Sequence, residues 1–399
     1  MKNKKVYRIE LLIVSFSAML NMTILAFRIC TGEFQFQDFY ARWQECAYLL
    51  RGISPFDALT GSDIRPDIGP IDPDMVTVPW AWVWGQVINP GFLSYHIAKI
   101  WGIIAYILIC GFTIMLIFLY LNKRHGIKWA VLGGLFLLTQ YNLGWSFLCG
   151  NQGALACCFI IQAMVIYKKK PYLAGILLAF SMIKPQVALP FVLTFLILRE
   201  YKIIAVLACS ELISLLYIWG KLHVGLIELL HQTSDVGTNL KGVFFGLFDL
   251  LKYVGVDTGI ILLLDFIVAI IVYAFITKKM WKTETSVFGV FLGSIISSTF
   301  WFYKQPHDWV ILVVPCVLLL EYICSDSYID IQLILFFQIV LVGLLYVQGL
   351  FRKVLGLLAT GIDDYFSKQL FMTVTVIVVI IIGIAMSIIL GKETHVRND

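Results

Sequence analysis

Charge is scarce in this sequence: Asp, Glu, Lys and Arg supply 14% of its 399 residues. A soluble domain carries roughly a quarter of its residues as charges to keep its surface solvated, so that class is excluded. Low-complexity tracts and internal repeats are missing, which excludes disordered linkers and repeat arrays. The nine cysteines lack the paired spacing of a metal site and sit mostly in apolar runs, where thiols behave as small buried hydrophobes. Cys30 and Cys46 are the pair whose separation allows a bridge. A small-residue cleavage site is absent after the first apolar run, so that run reads as a retained signal anchor. Clustered carboxylates that would demand a metal are absent too, and no metal or other cofactor is expected.

What the chain has in abundance is apolar length. Hydrophobic residues make up 60% of it, and the mean hydropathy is +0.88. The apolar residues fall in runs of about 20, enough to cross a hydrocarbon core about 30 Å thick. Runs lie near 9–30, 98–121, 129–148, 152–167, 203–219, 259–277, 284–302, 309–323, 331–350 and 370–390. The expected architecture is an all-α polytopic membrane protein with about ten to twelve transmembrane or half-membrane helices, forming one unit over 1–399. Short basic clusters flank the runs: Lys2, Lys4, Lys5 and Arg8; Lys123, Arg124 and Lys128; Lys168 to Lys170; Arg199 and Lys202; Lys278, Lys279 and Lys282. The positive-inside rule places each of these in the cytoplasm.

One segment decides the topology. As a single crossing, 171–202 would carry Arg199 and Lys202 outside and invert every later loop. As two half-length helices meeting at Ile183-Lys184-Pro185-Gln186, it returns to the cytoplasm. Proline cannot continue the helical ladder and disfavours helical geometry in the residue before it, so Lys184-Pro185 is a natural break. A lysine and non-helical backbone at membrane depth are tolerated only against protein or a wet cavity. The broken hairpin is therefore the expectation. It gathers the 31–97 loop, the Gly150–Gly153 turn, the 220–258 loop and the turn before Trp309 on the outer face, with both termini cytoplasmic.

The 31–97 loop carries eight carboxylates against three arginines. Within it, Phe39, Trp43, Ala47 and Leu50 recur at helical spacing, which predicts an amphipathic helix over 38–51 lying in the interface. Gly52 supplies a stop, and Ser54-Pro55 starts a turn. Asp38 falls at the helix start, with Arg42 one turn along within reach of it. Local pattern allows two readings of Asp38: an N-cap, or a general base beside a membrane cavity. The remaining acids of the loop sit among Gly and Pro as turn formers, and VPWAWVWG (78–85) is a second interfacial or re-entrant piece.

In order, the chain presents an acid-aromatic pair after the first span, a Gly-x-Ser-Pro-Phe-Asp turn, a Gly-Asn-Gln turn, a Lys-Pro inside a leucine-rich hairpin, and a Pro-His-Asp before a late span. This set resembles the integral-membrane glycosyltransferases of family 87, over roughly 9–320. Departures are VPWAWVWG, where the family often has a Tyr-Pro-Pro-like stretch, and Gly153, where an aliphatic or Asn-containing continuation is more usual. The resemblance implies a GT-C fold and a polyprenyl-phosphate sugar donor, typically of mannose, used on the extracytoplasmic side with a lipid or glycan acceptor. It implies Asp38 as the base. His307 then binds donor phosphate or supports the base, the competing reading being an interfacial histidine. Asp308 either orients that imidazole or, as favoured here, caps the helix starting at Trp309. Arg42, Lys184 and Lys304 are candidates for the phosphate, although Arg42 equally pairs with Asp38 and Lys184 equally snorkels. Asn151 and Gln152 bond the sugar or cap a helix, and Lys241 is a weaker candidate. The competing classes are a flippase of lipid-linked sugars, which also uses broken helices, and a polysaccharide polymerase or ligase.

Overall fold

The computed structural model describes residues 2–72, 77–225, 227–229, 231–233, 246–280, 286–301, 306–324, 331–343 and 364–396. Among these residues the regular structure is entirely helical: α1 (Lys2–Cys30), α2 (Gln37–Leu50), α3 (Pro55–Thr60), α4 (Pro79–Trp84), α5 (Tyr95–His125), α6 (Ile127–Leu138), α7 (Tyr141–Cys149), α8 (Gly153–Ile166), α9 (Pro171–Ser181), α10 (Pro185–Ile197), α11 (Tyr201–Leu222), α12 (Thr258–Met280), α13 (Ser286–Ser297), α14 (Val313–Cys324), α15 (Ile331–Gly343) and α16 (Asp364–Val396). Tight 3-10 turns cover Gly85–Val87, Asp249–Val254 and Pro306–Leu312.

Among the described residues five helices are long and apolar enough to cross a membrane: α1, α5, α11, α12 and α16. Only 22% to 50% of each apolar window is buried within the protein. Such helices would aggregate in water, and their bare apolar faces suit a lipid solvent. The helices between them are shorter and better covered. In α8 every residue from Gly153 to Ala163 is buried, as a helix apolar on nearly every side requires. It packs against α5, α9, α10 and the Pro306–Leu312 turn, so the core of the bundle runs along α8.

One run expected to be a single span is divided, and the 171–202 segment forms two helices. The run at 129–148 divides into α6 and α7 around Thr139-Gln140. Carbonyls near this break would be costly to bury unpaired, and Asn21 of α1 answers them: its Nδ2 donates to Leu138 O at 2.8 Å and Gln140 O at 3.0 Å. The segment at 171–202 forms α9 and α10, with Met182–Lys184 between them and a proline at the start of each. Their far ends meet. Lys168 Nζ lies 2.8 Å from Glu200 Oε1, the rings of Tyr167 and Phe195 are 5.6 Å apart, and Lys202 stands over Tyr172. Lys184 is therefore at the tip of a helical hairpin whose two feet stand together.

The tip is held from both sides. Pro190 has no N–H to offer the Gln186 carbonyl one turn earlier, and Trp301 Nε1 donates to that carbonyl instead at 2.5 Å. Trp80, within VPWAWVWG, donates from Nε1 to Met182 O at 2.9 Å.

Helix α2 packs against α3, α4, α5, α7 and α11. It was expected to bury one apolar stripe at an interface, but every residue from Trp43 to Leu49 is buried, together with Phe39 and Ala41. Polar groups on α2 fasten the following loop: Tyr40 and Gln44 donate to Ile68 O, each at 2.9 Å, and Tyr48 donates to Gly69 O at 2.8 Å. Cys30 and Cys46 are unpaired thiols, one exposed and one buried; Cys46 instead donates to Trp82 O at 3.4 Å.

Candidate functional site

The chain enters α2 through Phe36, whose φ of 54° is left-handed. That conformation costs a non-glycine residue about 1–3 kcal/mol. Packing holds it: Phe36 is fully buried, its ring stacks on Phe39 at 4.7 Å, and its N–H donates to Leu148 O at 3.0 Å. The residue before the helix thus binds the C-terminal end of α7 and makes no side-chain cap. Asp38 stands in the first turn, where the helix dipole favours a carboxylate. It is not the N-cap, and its side chain is turned to another element.

That element is the turn between α7 and α8. Asn151 Nδ2 donates to Asp38 Oδ2 at 2.7 Å. The other end of the amide is also fixed, since Asn151 Oδ1 accepts from Gly153 N at 2.8 Å. The backbone N–H of Asn151 donates to Ser146 O at 2.9 Å. A carboxylate bonded through one oxygen by an amide clamped at three points is held still, with its other oxygen available for a proton.

Gly153 opens α8 against the Pro306–Leu312 turn. A Cβ there would collide with Asp308 Oδ1 and lie 3.0 Å from Asn151 Oδ1 and 3.2 Å from the His307 carbonyl carbon. Only a glycine admits this approach, which accounts for its place after Gly-Asn-Gln. Asp308 is fully buried and forms an ion pair with Lys184, Nζ to Oδ1 at 3.2 Å. The adjacent His307 is buried, with Nδ1 3.0 Å from Ser146 Oγ. Four segments far apart in sequence therefore meet: the start of α2, the α7–α8 turn, the hairpin tip and the Pro306–Leu312 turn.

Several expectations change. Arg42 does not pair with Asp38; its Nη1 donates to both carboxylate oxygens of Glu45 at 2.9 and 2.8 Å. Glu45 also accepts from Thr77 N at 2.5 Å and Thr77 Oγ1 at 2.7 Å. Burial pushes the Glu45 pKa up, while Arg42 and Thr77 pull it down. The deeper carboxylate has taken the guanidinium, because an unpaired charge costs most where it is driest. Asp308 does not cap a helix at Trp309; the turn begins at Pro306 and the carboxylate serves Lys184. Gln152 is buried and precedes α8 without a side-chain cap. Lys304 and Lys241 lie outside the described residues.

Sequence reasoning passed over Ser146, Trp80 and Trp301. Ser146 carries no local signal, being one small residue in an apolar run. Trp80 was read only as part of the interfacial stretch VPWAWVWG, and Trp301 went unremarked at the end of the apolar run 284–302. Comparison of the chain with protein-family models, with curated proteins and with solved structures finds no match.

Proposed function

We propose that this chain is an integral-membrane glycosyltransferase of GT-C architecture, moving a mannose-like hexose from a polyprenyl phosphate to a lipid or glycan acceptor on the extracytoplasmic face. The observation that carries the reading is the meeting of Asp38, held by Asn151, with the Lys184–Asp308 pair and His307. In a single displacement the acceptor oxygen attacks the anomeric carbon while its proton passes to Asp38. The bond from that carbon to the phosphate oxygen breaks, and its electron pair leaves on the phosphate, inverting the centre. Lys184 and His307 supply positive charge or donors to the departing oxygens. Because Lys184 is already paired with Asp308, phosphate binding exchanges or shares that partner. The acid-aromatic, Gly-Asn-Gln, Lys-Pro and Pro-His-Asp motifs support membership in glycosyltransferase family 87. The basic clusters support an outer location for the site.

The broken hairpin with a charged tip also suits a flippase of lipid-linked sugars. Purified protein in liposomes, given a panel of polyprenyl-phosphate sugars, separates the two. Covalent transfer to an acceptor, abolished in Asp38→Asn with donor binding retained, is the expected result. Parental rates in Asp38→Asn overturn the assignment of the base, and sugar crossing the bilayer unaltered in every condition favours the flippase.

A further inference from the structure

Ser146 occupies a position that neither the motifs nor the proposed chemistry uses. It is fully buried on α7, and its Oγ lies 3.0 Å from His307 Nδ1. A buried hydroxyl needs an acceptor, since leaving its donor unmade costs about 1–3 kcal/mol. Among the described residues Ser146 is the side chain that the Tyr106 hydroxyl can reach for a hydrogen bond, and giving the phenol proton to Ser146 Oγ leaves the serine proton for His307 without orphaning a buried donor. The acceptor is therefore the Nδ1 lone pair, and a neutral imidazole that accepts at Nδ1 carries its proton on Nε2. The same residue's carbonyl receives the Asn151 N–H at 2.9 Å, and Asn151 holds Asp38 at 2.7 Å.

We infer that Ser146 is a positioning residue that fixes His307 as the Nε2–H tautomer and, through Asn151, sets Asp38 in register with it. Resting on the glycosyltransferase reading above, this makes His307 a neutral hydrogen-bond donor toward the reacting groups and leaves proton acceptance to Asp38. One buried serine thereby ties the base and the donor together, so the two arms of the site keep a fixed relation.

The test is nitrogen NMR of the full chain in lipid nanodiscs, with 15N-labelled histidine. The chain has six histidines, and His307→Gln identifies the resonance by its loss. An unprotonated Nδ1 and a protonated Nε2 in the parental protein are expected; a protonated Nδ1 overturns the inference. Ser146→Ala should move the Nδ1 resonance and lower kcat about tenfold, the scale of one lost hydrogen bond, with KM for a polyprenyl-phosphate mannose within about twofold. Ser146→Thr, which restores a hydroxyl, should return both readouts toward parental. An unmoved Nδ1 resonance in Ser146→Ala also overturns it. If the parental protein transfers no sugar, the glycosyltransferase reading fails, while the resonances still decide the tautomer.

Discussion

Glu45 and Asp38 lie two turns apart on one helix and meet different fates. Glu45 is almost fully buried, and its folded-state pKa is raised above the ordinary 4.5 by that burial, against the pull of Arg42 and Thr77. A raised pKa in the folded state means that stability is greatest below the unfolded value and falls as pH climbs through the folded one. Removing Arg42 steepens this loss. Arg42→Met should destabilise the protein by about 3–5 kcal/mol at neutral pH, the cost of orphaning a buried charge, and by less at pH 5. The double variant Arg42→Met with Glu45→Met should recover most of the difference; thermal unfolding in detergent at the two pH values checks both. The helical spacing that put Arg42 beside Asp38 in the sequence was sound as geometry. It failed because i,i+3 and i,i+4 partners were both within reach, and spacing says nothing about which carboxylate is dry. Asp38 itself was legible, since an acid opening an aromatic stripe after a span is an unusual pattern. Its partner Asn151 comes from a distant turn, and no local signal joins them.

At the scale of elements, prolines and glycines carried the readable information. The break at Lys184-Pro185 follows from backbone chemistry alone, and α9 and α10 lie either side of it. The break between α6 and α7 was not readable, because Leu138-Thr139-Gln140 contains neither Pro nor Gly. Its cause is tertiary, in the amide that Asn21 brings from α1. The hairpin offers a test of how its tip is held. Trp301→Phe removes the donor to Gln186 O and should cost about 0.5–1.5 kcal/mol, the net worth of one hydrogen bond. Pro190→Ala supplies a backbone N–H one turn on, so in that background the same change should cost less; a double-mutant cycle on melting temperature measures the coupling. Gly153→Ala tests the approach of α8 to the Pro306–Leu312 turn. Its Cβ must displace Asp308 and loosen the pair with Lys184. Transfer activity in liposomes should fall more than tenfold, with destabilisation of about 1–3 kcal/mol from overpacking.

For the molecule as a whole, the membrane class was legible from hydropathy, because a run that must sit in hydrocarbon has little freedom of composition. About ten to twelve transmembrane or half-membrane helices were expected. Among the described residues five helices are long enough to cross, and several other runs are broken or short, since protein contacts rather than lipid satisfy their ends. The proposed sidedness rests on the basic clusters. Leu198→Cys stands beside Arg199 at the foot of the hairpin, where Lys168 meets Glu200. In a background lacking the exposed Cys30 and Cys209, an impermeant thiol reagent applied to intact cells should leave it unlabelled and label it after permeabilisation. Labelling in intact cells would turn the bundle over and separate the site from an outer donor. The indole grip on the hairpin tip has an optical consequence. Trp80 and Trp301 each spend their N–H on a carbonyl within two residues of Lys184, so displacement of the tip changes the polarity that both indoles sense. Among the chain's 11 tryptophans these two form a native fluorescence gauge of tip position, readable by difference against Trp80→Phe and Trp301→Phe without attaching a dye.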